Sequence, residues 1–303
     1  MDIYREQSKN VWKTWLLMIT FLVVIVAIGY VFAMIYDNLL ILIIAIVFSL
    51  FMNFFSYWYS DKIVLSMYKA QPIVKEQNPE LWNVVENLSI TAGLPMPRVY
   101  IIPDSAPNAF ATGRNKEHAA VAVTSGLLQI LNRTELEGVI AHELSHIGNR
   151  DILISTVVIV LVGFVAILSQ LFLRGMMFGG VRRGNDREGG ANGILILIGV
   201  ALAILSPIAV TLIQLAVSRK REYLADADGA LLTRYPEGLA SALQKISQNN
   251  TQPMKHASKA TAHLFIANPF GSVGQKVSGL FSTHPPVADR IRVLLGNKNV
   301  TKN

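Results

Sequence analysis

Residues 141–146 read Ala-His-Glu-Leu-Ser-His, so two histidines lie four positions apart and a glutamate directly follows the first. In an α-helix, four positions advance about 6 Å along the axis and slightly more than one turn, which places His142 and His146 on one face. Both rings can then bind one zinc ion, and Glu143 can reach a water held beside it. The spacing predicts hydrolytic chemistry, in which Glu143 takes a proton from the attacking water and returns it to the leaving amine.

A catalytic zinc ion usually has three protein ligands, and the chain has no cysteine. Glu222 is the best candidate for the third. His146 precedes the apolar run 152–173 and Glu222 follows the run 194–217, so a hairpin of these runs would bring both to the same membrane face. Asp226, one helical turn later, could orient a ligand histidine. The alternative is that Glu222 is only a charged residue in a solvated basic cluster.

The start of the helix that carries the two histidines has a recognisable signal. Thr134 lies three residues before Glu137, a spacing typical of a capping box, and apolar residues follow at helical intervals. The sequence therefore predicts a helix with Thr134 as its N-terminal cap.

The composition indicates a membrane protein. Of 303 residues, 52% are hydrophobic and 16% charged, and the mean hydropathy is +0.41. The net charge of +7 is scattered along the chain and forms no recognised nucleic-acid motif, so we expect a lipid bilayer as partner and no nucleic acid. Without cysteine, disulfides and cysteine-based zinc sites are excluded.

Four apolar runs are long enough to cross a bilayer, and two of them enclose a polar region. The runs are residues 15–36, 38–60, 152–173 and 194–217. We predict a mainly α membrane protein with four transmembrane helices in two hairpins and an α+β protease domain carrying a small sheet. Its segments would be an N-terminal hairpin (1–60), a first catalytic part (61–150), a second hairpin (151–217) and a second catalytic part (218–303). The segments 99–102 and 119–123 are the predicted strands, and 249–282 is predicted to be a mobile loop.

The distribution of basic residues predicts the orientation. Three cationic side chains precede the first run and none lies between the first two runs, which places the N-terminus and the catalytic parts in the cytoplasm. The segment between the third and fourth runs does not fit this orientation, because it would lie outside the cytoplasm yet carries four arginines: Arg174, Arg182, Arg183 and Arg187. Either the earlier signals dominate, or the second hairpin is shallow or partly shielded by protein.

Four motifs in order resemble the HtpX family of bacterial membrane zinc proteases. They are 141–151 (AHELSHIGNRD), 221–228 (REYLADAD), 107–111 (PNAFA) and 282–286 (STHPP). The related type I CAAX prenyl proteases share the zinc motif but have about seven spans, for which this chain has no room. The resemblance implies a gluzincin-like domain, one Zn²⁺ per chain held by His142, His146 and Glu222, and a location in the cell (inner) membrane.

The resemblance also suggests roles for residues outside the zinc motif. Asn108, Ala109, Phe110 and Ala111 resemble the edge strand that pairs with an extended substrate, although an ordinary turn and strand is the alternative. His284 resembles a catalytic histidine that stabilises the oxyanion, although a histidine before two prolines is often structural. Arg290 could tie the last helix to the site through Asp226. His118, His256 and His263 have no ligand spacing, and we expect them to be solvated or packed.

Three functions remain open at the level of sequence. The resemblance implies an endopeptidase that cleaves misfolded or damaged membrane proteins, or unfolded polypeptides. A protease specific for one membrane or lipidated substrate would have the same motifs but a narrow cleavage profile. A membrane scaffold with a purely structural zinc site belongs to another class, and Glu143 argues against it, because structural zinc sites need no general base.

Overall fold

The computed structural model describes residues 3–178, 199, 201, 205, 218–258, 260–271 and 285–296. Within these, the helices are α1 Ile3–Ile35, α2 Leu39–Met67, α3 Pro79–Thr91, α4 Ser125–Ile130, α5 Arg133–Gly148, α6 Asp151–Phe178, α7 Arg219–Thr233, α8 Pro236–Asn249 and α9 Val287–Leu294. The strands are β1 Gln71–Pro72, β2 Arg98–Ile102, β3 Ala109–Gly113 and β4 Ala119–Thr124, and 3-10 turns lie at Lys116–His118 and Ala262–Leu264. The predicted mainly helical chain with a small sheet is confirmed.

The four strands form one mixed sheet in the order β1-β2-β4-β3. β2 and β4 are parallel, whereas β1 pairs with β2 and β3 pairs with β4 in the antiparallel sense. β4 is buried at every position, as expected for a central strand of small and β-branched residues. Both predicted strands are present, and β3 forms an edge of the sheet.

One face of the sheet packs on α3, α5 and α8, and α5 lies at the centre of this core. Leu81, Val121, Ile140, Leu144 and Leu243 are among its fully or almost fully buried members. At Gly138 the backbones of α5 and α8 touch, because an added Cβ would lie 2.6 Å from the Leu239 nitrogen. This packing holds α5 firmly against the sheet.

The other face of the sheet packs on the end of α2, which continues seven residues beyond the predicted span. Val64 and Leu65 of α2 are buried there, and Tyr68, just after the helix, packs edge-to-face on Phe265 at 5.0 Å between ring centroids. Phe265 also packs on Phe110 of β3 at 5.2 Å. The N-terminal hairpin is therefore joined to the sheet by a shared core.

Two helices are long and apolar enough to cross a membrane, namely residues Asn10–Ile35 within α1 and Leu39–Met67 of α2. Large apolar side chains on their surface, such as Leu40, Ile44 and Phe51, are more than half exposed, as expected for contact with lipid. The described residues contain a third span only if α5 and the first part of α6, whose axes meet at 82°, cross the membrane together as one bent segment. The predicted run 194–217 lies outside the described residues except for three positions, so the described chain supports the first hairpin but not four spans.

The cap of α5 differs from the prediction. The N-terminal cap is Asn132, whose side chain accepts from the Glu135 nitrogen, and the Glu135 carboxylate accepts from the Asn132 nitrogen at 2.8 Å. Thr134 donates instead to Asn132 Oδ1. Glu135 also binds Ser241 and Lys245 of α8, at 2.6 and 2.8 Å. These contacts favour a capping box that begins at Asn132, two residues before the predicted cap at Thr134.

The segment predicted as a mobile loop is partly a piece of the core. In its described part, residues 262–267 are buried, and the Ile266 nitrogen donates to the Ala109 oxygen of β3. The Asn108 side chain donates to the Ala267 oxygen at 2.9 Å. A packed strap along the start of β3 thus replaces the expected surface loop over these residues.

Candidate metal centre

Helices α5 and α7 bring three possible ligands together. His142 Nε2 and His146 Nε2 lie 3.2 Å apart, and the Glu222 carboxylate oxygens lie 3.8 Å from the first and 3.6 Å from the second. Ligand atoms placed about 2.0–2.1 Å from a tetrahedral zinc ion are roughly 3.3 Å apart. The donor set and its spacing therefore fit a zinc ion with little adjustment, and this is the only such cluster among the described residues.

Close packing of α7 on α5 sets this geometry. Gly229 lies against the backbone of α5, and an added Cβ there would be 3.0 Å from the His142 nitrogen. Because Glu222 and Asp226 are on the same helix as Gly229, the close approach carries both carboxylates to the histidines. Glu222 is only 8% exposed and Asp226 1%.

A buried pair lies behind His142. Asp226 Oδ1 is 3.0 Å from His142 Nδ1, and Arg290 of α9 donates to both oxygens of Asp226, at 2.8 and 2.7 Å. Burial opposes the charge of Asp226, but the hydrogen bonds from Arg290 and His142 outweigh it and lower its pKa to about 2. The pairing of Arg290 with Asp226 is present as expected, and it presents the other nitrogen of His142 toward the cluster.

His146 is held in a similar way by Asp151, which the sequence reasoning missed. Asp151 Oδ2 lies 3.1 Å from His146 Nδ1. Sequence offers two signals: Asp151 lies five residues after His146, and it is the last residue of the motif 141–151. Since α5 and α6 meet at a sharp bend, only the structure shows that this carboxylate turns back toward the ring.

Electrostatics differ between the two rings in the absence of metal. Burial, assisted by the Arg290 charge, lowers the pKa of His142, so this ring is neutral and able to bind a metal. Burial acts in the same direction on His146, but the hydrogen bond to Asp151 and the charge of Glu222 prevail and raise its pKa to about 9. A positive charge is therefore favoured at this point, as expected for a cation site.

Glu143 is placed for proton transfer. It is 1% exposed, and its Oε2 atom has no hydrogen-bond partner within the described residues. Burial, and then repulsion from Glu222, raise its pKa to about 7 although nearby His146 opposes the change. Buried oxygens are normally paired, so an unpaired one beside three metal-ligand types indicates a place for a water or a substrate atom.

A cleft opens onto this cluster, and it is lined by Ala111, Glu143, His146, Glu222, His263 and Leu264 among others. His263, expected to be either solvated or packed, is 8% exposed, and its Nε2 lies 3.4 Å from the Ser155 oxygen. Sequence spacing offered no reason to associate it with the cleft. His284, the predicted oxyanion donor, lies outside the described residues.

Of the four predicted substrate-binding residues, only Ala111 lines the cleft. Asn108 and Phe110 are fully buried, and Asn108 exchanges hydrogen bonds with Thr124 of β4. Since bonded pairs alternate along an antiparallel ladder, Ala109 and Ala111 direct their backbone groups away from β4. The Ala109 oxygen is already taken by Ile266, so the available edge of β3 begins near Ala111.

Comparisons with known proteins agree with this geometry. The model of peptidase family M48 matches residues 75–298. A protein named "Protease HtpX homolog" from Syntrophobacter fumaroxidans is 54% identical over 254 residues, 84% of this chain and 88% of that protein. Two other proteins of the same name are also similar. The one from Caldanaerobacter subterraneus is 48% identical over 96% of this chain and 97% of that protein. The one from Pyrococcus furiosus is 54% identical over 84% of this chain and 85% of that protein.

Among solved structures, the crystal structure of S. mikatae Ste24p shares the fold. The TM-score is 0.52 at 21% identity, with 88% of this chain covered, and the chain spans 62% of that protein's length. The family match covers more than half of the chain and includes the zinc-motif helix, α7 and α9. The chain therefore belongs to peptidase family M48 and is an HtpX-like metallopeptidase of the membrane.

Proposed function

We propose that the chain is a zinc-dependent endopeptidase of the cell (inner) membrane that cleaves misfolded or damaged membrane proteins at the cytoplasmic surface. The proposal is carried by one buried oxygen of Glu143, which has no hydrogen-bond partner among the described residues and lies beside His142, His146 and Glu222 at an open cleft. These three residues would hold one Zn²⁺. A bound zinc ion supplies a Lewis acid and lowers the pKa of a water molecule to about 7.

Glu143 acts as the general base and then as the general acid. Its carboxylate, whose pKa is raised by burial in the metal-free site, can accept a proton from the attacking water and then release it to the leaving amine. The backbone of Ala111 forms a hydrogen bond with this carboxylate, which fixes its direction. A fixed carboxylate close to the reacting water avoids the entropy cost of bringing the two together.

The substrate binds as an extended strand along the free part of the β3 edge. Because the Ala111 N–H donates to Glu143, the substrate pairs with the Ala111 carbonyl oxygen. Such main-chain pairing does not depend on substrate side chains, which suits an enzyme that acts on many unfolded segments. The strap at residues 262–267 occupies the edge at Ala109 and so limits the length of this pairing. His284 would donate to the carbonyl oxygen as it gains negative charge.

Membrane substrates can reach the cleft because the N-terminal hairpin and the sheet share one core. The cleft is lined by the start of α6, whose first residues pack against α1. The cluster thus lies near the end of the hairpin, and a segment that leaves the bilayer would meet it. The basic residues in the first part of α1, before its apolar run, favour a cytoplasmic location for this end.

The test compares wild type with Glu143→Gln in purified, zinc-loaded protein in lipid nanodiscs. We expect Glu143→Gln to lower kcat/KM on an unfolded protein by about 10²–10⁴-fold while zinc remains bound. Glu137→Gln is the matched control, since Glu137 is on the same helix but pairs at the surface with Arg133. It should retain full activity.

Two results would contradict the proposal. If Glu143→Gln cleaves as fast as wild type, Glu143 is not the general base. If wild type binds zinc but cleaves only one of several unfolded or destabilised membrane substrates, a specific processing protease is the better description.

A further inference from the structure

We propose that the N-terminal membrane helix α1 is part of the metal centre, with Asn10 as a positioning residue that holds Asp151 and, through it, the ring of His146. The inference rests on the zinc site proposed above and goes beyond it, because it assigns a role in metal binding to the membrane anchor.

The contacts form a continuous chain from α1 to a ligand. Asn10 Nδ2 donates to Asp151 Oδ1 at 2.7 Å, and the other oxygen of that carboxylate lies 3.1 Å from His146 Nδ1. The same Asn10 amide donates to the Asn149 oxygen at 3.2 Å. Asn149 caps α5, so Asn10 lies at the bend between α5 and α6 and touches both.

Both the nitrogen and the oxygen of the Asn10 side-chain amide form hydrogen bonds. Its Oδ1 atom accepts from Arg221 at 3.5 Å, which adds α7 to the contact. Asn10 is 2% exposed and Asp151 5%. A buried amide is costly unless its donors and acceptor are satisfied, so this position has strong steric and polar constraints. Asn10 therefore joins the membrane helix to the three helices that surround the cluster.

The direction of the contact matters for metal binding. A carboxylate that receives a hydrogen bond on one oxygen keeps the other aimed at the imidazole, which fixes both the ring orientation and the tautomer. Without Asn10, the Asp151 carboxylate can rotate toward Arg221, which lies 3.7 Å from it. His146 would then lose its fixed presentation of Nε2 to the zinc ion.

A matched residue exists for a control. Asn53 of α2 is also buried, at 9% exposure, and its Nδ2 donates to the Met18 oxygen of α1 at 3.1 Å. Loss of this amide weakens the same hairpin but leaves every contact of Asp151 intact. Asn10→Ala and Asn53→Ala therefore separate an effect on the metal from an effect on hairpin packing.

The experiment measures zinc affinity by chelator competition, and kcat and KM at saturating zinc, for full-length protein in nanodiscs. We expect Asn10→Ala to weaken zinc binding about tenfold, the lower end of the effect of residues that orient a ligand, and to lower kcat with KM unchanged. Asn53→Ala should keep the wild-type zinc affinity. If Asn10→Ala binds zinc as wild type does, or Asn53→Ala loses as much, the inference is wrong while the peptidase proposal stands.

An exchange of the two side chains provides a second test. Asn10→Asp and Asp151→Asn should each weaken zinc binding, because one removes the donor and the other the charge behind His146. Their combination restores a donor and an acceptor in reversed order, so its zinc affinity should exceed that of Asn10→Asp alone. A combined loss equal to the product of the single losses would overturn the inference. Wild-type protein that binds no zinc would overturn both this inference and the proposed function.

Discussion

Each of the two histidines of α5 has a carboxylate behind it, but the carboxylates are held differently. Behind His142, Asp226 receives two hydrogen bonds from the fully buried Arg290. Behind His146, Asp151 accepts a hydrogen bond from the neutral side-chain amide of Asn10, and the Arg221 guanidinium lies 3.7 Å from the same carboxylate. We call these the arginine arm and the asparagine arm.

The difference follows from the part of the molecule in which each arm lies. The arginine arm lies between helices of the catalytic domain, where a buried ion pair makes the position rigid. The asparagine arm reaches into the membrane hairpin, where a neutral group avoids the cost of another buried charge. The arginine arm can thus orient the His142 ring without the membrane hairpin. In the asparagine arm, the orientation of His146 depends on the position of α1.

The largest expected effect is on stability, from loss of the guanidinium in the arginine arm. Arg290→Met leaves Asp226 as a buried charge without its main partner, which should cost about 3–5 kcal/mol in the free energy of unfolding. Arg221→Met, the matched change in the asparagine arm, should cost clearly less. Denaturant unfolding of the metal-free proteins measures both, and equal losses would show that the arms do not differ in this way.

A double variant controls for general damage to the core. Asp226→Asn combined with Arg290→Met removes both charges together, and it should be more stable than Arg290→Met alone. If the combined loss is instead the sum of the single losses, the ion pair is not the cause.

The second effect is on zinc affinity. Asp226→Asn and Asp151→Asn should each weaken zinc binding by about 10–100-fold, because either change removes the acceptor that orients a ligand ring. The arms share no residue, so the double variant should lose close to the product of the two factors. Chelator competition gives all three values. If the double variant binds zinc as tightly as the single variant with the lower affinity, the two arms act as a unit.

The third effect is the dependence of metal-free stability on pH. The pKa of His146 is raised in the folded state to about 9, so its contribution is complete below about 6.5 and is lost as pH rises through 9. The pKa of Asp226 is lowered to about 2, so its contribution is present above about 4 and is lost as pH falls through 2.

Asp151→Asn should therefore flatten the alkaline loss of melting temperature and leave the acid loss unchanged. The measurement is best made with Glu143→Gln in both proteins, because the raised pKa of Glu143 causes a separate loss of stability as pH rises from about 4.5 to about 7, next to the window of His146. An alkaline loss that persists in the Asp151→Asn protein would assign it to another group.

The smallest effect concerns the packing that positions α7. Gly229→Ala places a Cβ 3.0 Å from the His142 nitrogen, so α7 must move by a few tenths of an ångström with Glu222 and Asp226. Overpacking costs about 1–3 kcal/mol, partly offset by the better helix propensity of alanine. We expect zinc affinity to fall a few-fold. Gly148→Ala is the control, since its nearest neighbour would be 4.0 Å away, and an equal loss there would exclude the close contact as the cause.

The start of α5 shows why part of the local structure was not predictable. Asn132 and Glu135 satisfy the same spacing rule as Thr134 and Glu137, so two overlapping caps compete within six residues. Asn is a slightly better cap than Thr, but the decisive contacts of Glu135 come from Ser241 and Lys245, more than a hundred residues later. Sequence could locate the helix, and only packing could select its first residue.

The placement of His142 and His146 on one helix face, with Glu143 beside them, was predictable from sequence, since it follows from helical periodicity alone. The first membrane hairpin was predictable as well, because the length of an uncharged run is a local property. The distant groups behind the two rings could be identified only from the packed structure. Asp151 and Asn10 are brought together by a bend and by helix packing across 141 positions of sequence, and no local rule encodes such a distance.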